Sequence, residues 1–357
     1  MWNDPRPTHL QINLKAIRHN YRYLSRYVTP KVVIPVVKAD AYGHGAVEVV
    51  GALIKEDVKI VAVSLVEEAL ELRAHYKNLD ILLMGPTLPH ALKEAAHHNF
   101  IVTIYDESMI RALKTFDEPI RVHLKVDTGM HRLGFLTSQA LTAYETLTSL
   151  PNVRLEGLYT HFATADTQDD LYVQQRKSFH DIIQQTSLPT MIHAANTEAS
   201  LRDEKDDPYT THVRVGLGLY GVCSEPHKHD LNPTLTWHTQ VAAIKTITPS
   251  SKVGYGGTFK TKTHEKIALL PVGYADGLWR AHQNYAVSIR ETPYPIVGRI
   301  SMDQTTVLVD DQVSIHDAVV LLGAPHCTIY DLAKRVDTIP YEIFTSLSKR
   351  VPRNYIE

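Results

Sequence analysis

Eight short apolar runs recur between residues 32 and 216, and most of the segments between them carry helical periodicity. The runs are VVIPVVK (32–38), IVAVS (60–64), ILLMG (81–85), FIVTI (100–104), IRVHLKV (120–126), VRLEGLYT (153–160), TMIHA (190–194) and THVRVG (211–216). Amphipathic stretches such as VEEALELRAHY (66–76) and DDLYVQQRKSFHDIIQQ (169–185) lie between them. Eight strands with mostly helical crossovers in about 200 residues point to an N-terminal (β/α)8 TIM-type barrel. A doubly wound open sheet is the alternative.

The rhythm changes near residue 231. LTWHTQVAAIKTI, KIALLPVGY, YAVSIR, PYPIVG, TTVLVD and AVVLLG follow one another across Gly, Pro and Asp turns, with few helices until TIYDLAKRV and YEIFTSLSK. This reads as a mainly β C-terminal domain. The expected division is a barrel over 10–230 and a β domain over 231–357, with EPHKHDLNP (225–233) as the linker and residues 1–9 pairing into the β domain. The 357 residues suit a barrel with such an addition.

Composition narrows the function classes. With 44% hydrophobic and 21% charged residues the chain is globular, and a net charge of −2 gives no electrostatic case for nucleic acid or anionic lipid. Cys223 and Cys327 are far apart and outside any CxxC, so a reducing compartment is expected. MWNDPRPTHLQI lacks the basic start and apolar core of a signal peptide, and no run reaches membrane-spanning length; a cytoplasmic location follows as an expectation. Among twenty histidines, HH (97–98) and HKH (227–229) lack partners at ligand spacing, so no metal site is expected.

Barrel active sites sit at the C-terminal ends of the strands. Strand one ends on Lys38. HLKVDTGMHRLGF brings Lys125, Asp127 and Arg132; YTHFATAD brings His161 and Asp166; HAANTEAS brings Asn196, Thr197 and Ser200; strand eight carries Arg214 before GLGLYG. Lys38 reads either as a lysine topping the strand in water or as a partly desolvated amine ready to form a Schiff base. GLGLYG (216–221) matches GxGxxG, but a dinucleotide fold needs an acid about 20 positions on, and none lies between Asp230 and Glu265. Asn196–Thr197 and Gly216–Leu217 instead form the two loops that bind phosphate in many barrels. An amine on one side and a phosphate cradle on the other suit a phosphate-bearing aldehyde, pyridoxal phosphate (PLP).

The segments VVKADAYGHGA, KVDTGMHRLGF, YTHFATAD, VRVGLGLYG, VGYGGTF, LPVGYADGL and VGRISMDQ, in this order, resemble the bacterial alanine racemases, and the similarity runs to the C-terminal YEIFTSLSKRVPRNY. The resemblance implies a PLP-dependent homodimer that interconverts L- and D-alanine and supplies D-alanine for peptidoglycan. It implies that Lys38 holds PLP and serves as one base. Tyr42, Thr197 and Tyr341 would bind the phosphate with the N–H groups of Gly216 and Leu217, beside Asn196. Arg214, bonded to His161, would face the pyridine nitrogen; a guanidinium does not give up its proton, so that nitrogen would stay unprotonated. Tyr255 would be the second base, reaching the site from the partner subunit with Met302 and Asp303. Arg132 would hold the substrate carboxylate, and Lys125 would be carbamylated to orient it. Asp166, Tyr274, Arg280, Arg299 and Ile339 would line the substrate channel, and Tyr341 favours alanine over serine. By the residues alone, Tyr255 is also a turn tyrosine between glycines and Lys125 an ordinary strand-end lysine. A related PLP decarboxylase would place an acid opposite the ring nitrogen, where this chain has Arg214. A serine or broad-specificity racemase, and a non-catalytic PLP-binding barrel without the β domain, complete the alternatives.

Overall fold

The structure, a computed structural model, describes residues 6–167, 169–187, 189–202 and 206–357. Two compact units emerge. One comprises Ala16–Ala41 and Ala46–Asn232; the other gathers the described residues up to Lys15, Tyr42–Gly45 and Pro233–Glu357.

The first unit is built on eight strands, Val32–Pro35, Ile60–Val63, Asp80–Leu83, Ile101–Ile104, Ile120–Asp127, Val153–Tyr159, Met191–His193 and His212–Val215. From strand two to strand eight each pairs in parallel with the next, and strand eight pairs in parallel with strand one. The bridge Val36↔Ala62 closes strand one on strand two. This near-closed ring is the expected barrel and not the open sheet. Its walls are apolar side chains removed from water, among them Ile34, Val61, Val63, Leu82, Val102 and Leu124.

The two helices read from the sequence appear as Val66–His75 and Asp170–Ile183. The first carries Glu67 and Glu68 in its first turn and Arg73 and His75 in its last, the order that the helix dipole favours. The second starts at Asp169, whose side chain accepts the Tyr172 N–H at 3.1 Å.

Strand one differs from its expected span. Its ladder ends at Pro35, although the Val36 N–H still reaches Val215 O (2.8 Å) and the Val37 N–H reaches Ala62 O (2.9 Å). The chain then turns through Lys38–Gly43, and this turn is left-handed: φ is 51, 53, 52 and 55° at Ala39, Asp40, Ala41 and Tyr42, and 78° at Gly43. L-residues disfavour this conformation by about 1–2 kcal/mol each, so four non-glycines in a row cost roughly 4–8 kcal/mol that the surroundings must offset.

The second unit contains a six-stranded sheet ordered Thr292–Pro295, Ala286–Ile289, Ala318–Leu322, Leu235–Gln240, His9–Asn13, Arg353–Ile356. His9–Asn13 runs antiparallel to Leu235–Gln240 and parallel to Arg353–Ile356. A separate antiparallel sheet joins Ala243–Ile247, Glu265–Leu270 and Thr305–Val309. The single run read over 235–247 therefore splits between two sheets. Trp237, Leu10, Ile12, Val287, Ile289 and Leu321 form the buried core of the larger one. Helices Ile329–Arg335 and Pro340–Ser346 occupy the two expected helical segments.

Among the described residues no helix is long and apolar enough to cross a membrane, and no group of three His, Cys, Asp or Glu side chains could hold a metal. Cys223 and Cys327 are buried, and burial pushes both thiols up to about 11, which leaves them protonated and inert.

Candidate active site

The barrel unit concentrates positive charge at the ends of its strands. Lys38 is half-buried, and desolvation followed by the Arg132 charge lowers its pKa, against a smaller upward pull from Glu68. Lys125 is buried with its Nζ 4.6 Å from the Tyr159 ring centre. Burial first, then Arg214 and Arg132, hold its amine well below the usual lysine range. Arg132 stands exposed on a loop that leaves strand five and returns to it. Asp127 shapes that loop by accepting the N–H groups of Gly129 and His131 at 3.0 Å each, and Phe135 comes back to pair with Val126.

Arg214 is fixed by four acceptors. Its Nη2 donates to Thr160 O (2.9 Å), Ala194 O (2.8 Å) and His161 Nδ1 (3.0 Å), and its Nη1 to His193 Nδ1 (2.6 Å). A guanidinium has only donors, so His193 accepts at Nδ1 and carries its proton on Nε2. That proton is then shared with His123 Nδ1 at 3.0 Å. His161 is depressed by burial and then by Arg214, Lys125, Arg132 and Lys38, in that order, so these groups share one electrostatic neighbourhood.

The loops after strands seven and eight are joined. Asn196 caps the turn Thr197–Ser200 by accepting the Ala199 N–H (3.1 Å), and Thr197 Oγ1 accepts the N–H groups of Gly216 and Gly218 at 3.2 Å each. Leu217, between them, starts the buried turn Leu217–Tyr220. A Cβ at Gly218 would come within 3.0 Å of Thr197 Cγ2, so the cradle has no room for a larger residue there. Asp166 is exposed beyond strand six.

The remaining candidates lie in the β unit. Tyr255 sits between Gly254 and Gly256, both at φ 70°, in a tight turn that leaves the tyrosine 70% exposed. Gly256 packs under the Arg299 guanidinium, where a Cβ would meet Nη1 at 3.1 Å. Tyr274 and Ala275 donate their N–H groups to Ser301 O and Met302 O at 3.0 Å each, and Arg350 Nη2 holds Asp303 at 2.8 Å. Met302 is 53% exposed. Arg280 begins the short turn Arg280–His282. Ile339 precedes the helix that carries Tyr341, whose ring centre lies 5.8 Å from that of Tyr42. The Lys38 group thus belongs to the barrel unit and the Tyr255 group to the β unit.

His123, His193, Tyr159 and Glu68 were not singled out from the sequence. The available signal was the alternation Arg121, His123, Lys125, Asp127 along strand five, which puts four polar groups at every second position of a buried strand.

His123 and His193 have a measurable consequence. Burial is the first cause that lowers both pKa values, that of His123 to about 3. Both stay neutral in the folded chain and take up a proton on unfolding below their unfolded pKa of about 6.5. Their stabilisation is complete above that pH and is lost as pH falls toward the folded values, by about 1.4 kcal/mol per pH unit for each histidine. Unfolding free energy from urea titrations should therefore drop by roughly 1.5 kcal/mol between pH 6.5 and 5 through His123 alone, with His193 adding to the loss in the same direction. A flat profile over that window would mean that the two rings are solvated.

Residues 12–224 match the family described as "Alanine racemase, N-terminal domain", and residues 234–355 match "Alanine racemase, C-terminal domain". Alanine racemase 2 of Caldanaerobacter subterraneus subsp. tengcongensis is 37% identical across 100% of this chain and 96% of the relative. The crystal structure of alanine racemase from Bacillus anthracis with bound L-Ala-P is similar with a TM-score of 0.92 at 31% identity, over 100% of this chain and 96% of that one. That of alanine racemase from E. faecalis gives 0.93 at 32% identity, over 98% of each chain. Both halves of the sequence match in order, and the same relatives span barrel and β unit alike: the chain belongs to the alanine racemase family.

Proposed function

We propose that this chain interconverts L- and D-alanine with the help of pyridoxal phosphate, supplying D-alanine for peptidoglycan. The observation that carries this reading is the depressed amine of Lys38 in one neighbourhood with Arg132, Lys125 and Arg214. The donor set fits the cofactor: an amine whose pKa burial and Arg132 lower, a glycine-lined cradle at Thr197, Gly216 and Gly218, and a guanidinium that only donates. Lys38 would hold the aldehyde carbon, the Thr197 hydroxyl and the Gly216 and Leu217 amides beside Asn196 would bind the phosphate, and Arg214, steadied by His161, would face the ring nitrogen. Tyr42 and Tyr341 would add two phenolic hydroxyls to the phosphate.

Once bound, the cofactor supplies the electron-withdrawing ring that acidifies the alanine Cα–H. Lys38 Nζ then takes or gives the proton on one face of Cα. The Tyr255 hydroxyl gives or takes it on the other, from a second copy of the chain. The exposure of Tyr255, Met302 and Tyr274 on the β unit supports a partner surface there. Met302 and Asp303 would approach the substrate from that partner, and Arg132 would bind its carboxylate. Asp166, Tyr274, Arg280, Arg299 and Ile339 would line the way in. Lys125, whose amine burial and then Arg214 and Arg132 hold well below the usual lysine range, is suited to add CO2 at Nζ, with loss of one proton, and so become an anion that orients Arg132.

The test is incubation of the purified chain with PLP and L-alanine, followed by chiral chromatography. Equal amounts of the two enantiomers should accumulate, and L-serine should react at least about tenfold more slowly, the scale on which a pocket resolves small changes in a side chain. The same protein equilibrated with 13C-bicarbonate should show a carbamate carbon by NMR. Release of CO2 from an amino acid without D-alanine would replace this reading by a decarboxylase.

A further inference from the structure

The left-handed turn after Lys38 needs something to hold it, and one carboxylate stands at its start. Glu68 Oε1 accepts the Ala39 N–H at 2.6 Å. Glu68 Oε2 accepts the N–H groups of Ser64 (2.8 Å) and Leu65 (3.0 Å), at the end of strand two and the beginning of helix Val66–His75. At the far end of the turn, Asp40 Oδ1 accepts the Ala46 N–H at 2.7 Å. Lys38 therefore sits between two anchored neighbours: the Val37 N–H is bound to Ala62 O of strand two, and the Ala39 N–H is bound to the glutamate that caps that same strand.

We propose that Glu68 is the positioning residue of Lys38: its carboxylate locks the strained turn to the end of strand two and thereby fixes the direction in which the lysine amine points. This deepens, and rests on, the reading of Lys38 as the reactive amine. An N3 glutamate ordinarily folds back onto its own helix start, and Oε2 does this here. Oε1 does something else, reaching an amide 29 positions upstream in sequence. That amide has φ 51° and lies at the beginning of a turn, where backbone donors lack partners within the turn itself. The same carboxylate is the negative charge that opposes Arg132 at the Lys38 amine. Removing it should let the turn relax toward ordinary backbone and leave the amine misaligned, with arginine as its dominant neighbour.

Glu68→Gln separates the two roles. Glutamine serves at N3 of a capping box as glutamate does, so the helix start survives. Its single carbonyl oxygen cannot serve both sides: with the oxygen on the Ser64 and Leu65 N–H groups, the NH2 group faces the Ala39 N–H. Glu67→Gln, one position away and exposed, controls for loss of charge on the helix. In Glu68→Gln, hydrogen exchange at Ala39 in the full chain should speed up at least about tenfold, the effect of losing one charge-assisted bond. Competitive acylation with acetic anhydride, read by peptide mass spectrometry on the full chain freed of PLP, should place the Lys38 pKa about half a unit to one unit lower than in the parent protein. With PLP restored, kcat should fall about 10- to 100-fold with KM within about twofold, the signature of a displaced reacting group. The exchange and acylation readouts need no turnover, so they stand whatever the substrate proves to be. Parent-like exchange at Ala39 and parent-like titration of Lys38 in Glu68→Gln would overturn the proposal and leave Glu68 as a helix cap. Changes of equal size in Glu67→Gln would overturn it as well.

Discussion

Lys38→Ala protein, supplied with saturating PLP and L-alanine, should form D-alanine at least about 10⁴-fold more slowly than the parent chain, the upper range for loss of a single proton-transfer group. The lysine is expected to act twice, as the amine that holds the cofactor and as the base on one face of Cα, so one substitution removes both contributions. Its environment is arranged for this. The side chain leaves the sheet at the point where the Val37 N–H makes the last contact to strand two, and burial with Arg132 nearby lowers the pKa of the amine. Lys38→Arg separates charge from chemistry: arginine keeps the positive charge and much of the reach but is not deprotonated in proteins. It should be as inactive as alanine. Borohydride treatment of the parent protein with PLP, followed by peptide mapping, should leave the pyridoxyl group on Lys38 alone. A label on Lys125, the other amine depressed at this mouth, would move the cofactor to strand five and exchange the roles of the two lysines.

The second large effect concerns two inactive proteins that become active together. Lys38 lies in the barrel unit and Tyr255 in the β unit. If a two-fold dimer builds each site from the barrel of one copy and the Tyr255 turn of the other, both parent homodimers of Lys38→Ala and Tyr255→Phe have two damaged sites. In the mixed dimer one site collects both lesions and the other collects none. Random exchange of equal amounts makes half of the dimers mixed, and half of their sites are intact. About a quarter of the parent activity should return, from a background near zero. Mass-tagged subunits establish that exchange took place. With exchange established, absence of recovered D-alanine formation would mean that Lys38 and Tyr255 act from the same chain. The Tyr255 turn is open: Gly254 and Gly256, both at positive φ, flank the tyrosine and leave most of the residue exposed.

Much of this architecture could be read in the sequence. The eight apolar runs correspond to the eight strands, because strands buried on both faces need continuous apolar side chains, and that requirement is local. The shared electrostatic neighbourhood of Lys38, Lys125, Arg132, His161 and Arg214 could be expected from position, since barrel strands run parallel and their C-terminal ends lie on one face. The motifs at those ends carried the family.

What the tertiary structure decided are the features whose cause lies elsewhere in the chain. KADAYG contains no signal for four successive non-glycine residues in the left-handed region; its local preference is against them, and the compensating partners, Ala62 and Glu68, come from another strand and helix. The end of strand one at Pro35 instead of Lys38 has the same origin. The run over 235–247 reads as one strand by its composition, but its two halves join different sheets, because pairing depends on which distant strands are available. The line from Arg214 through His193 to His123 appears only when the barrel closes and brings strands five, seven and eight around one interior. The tautomer of each histidine is then set by the donor beside it, a long-range constraint that no stretch of sequence contains. Periodicity and strand ends are short-range properties and were legible; strain, tautomer and sheet membership depend on contacts between distant residues, and only folding specifies which distant residues meet.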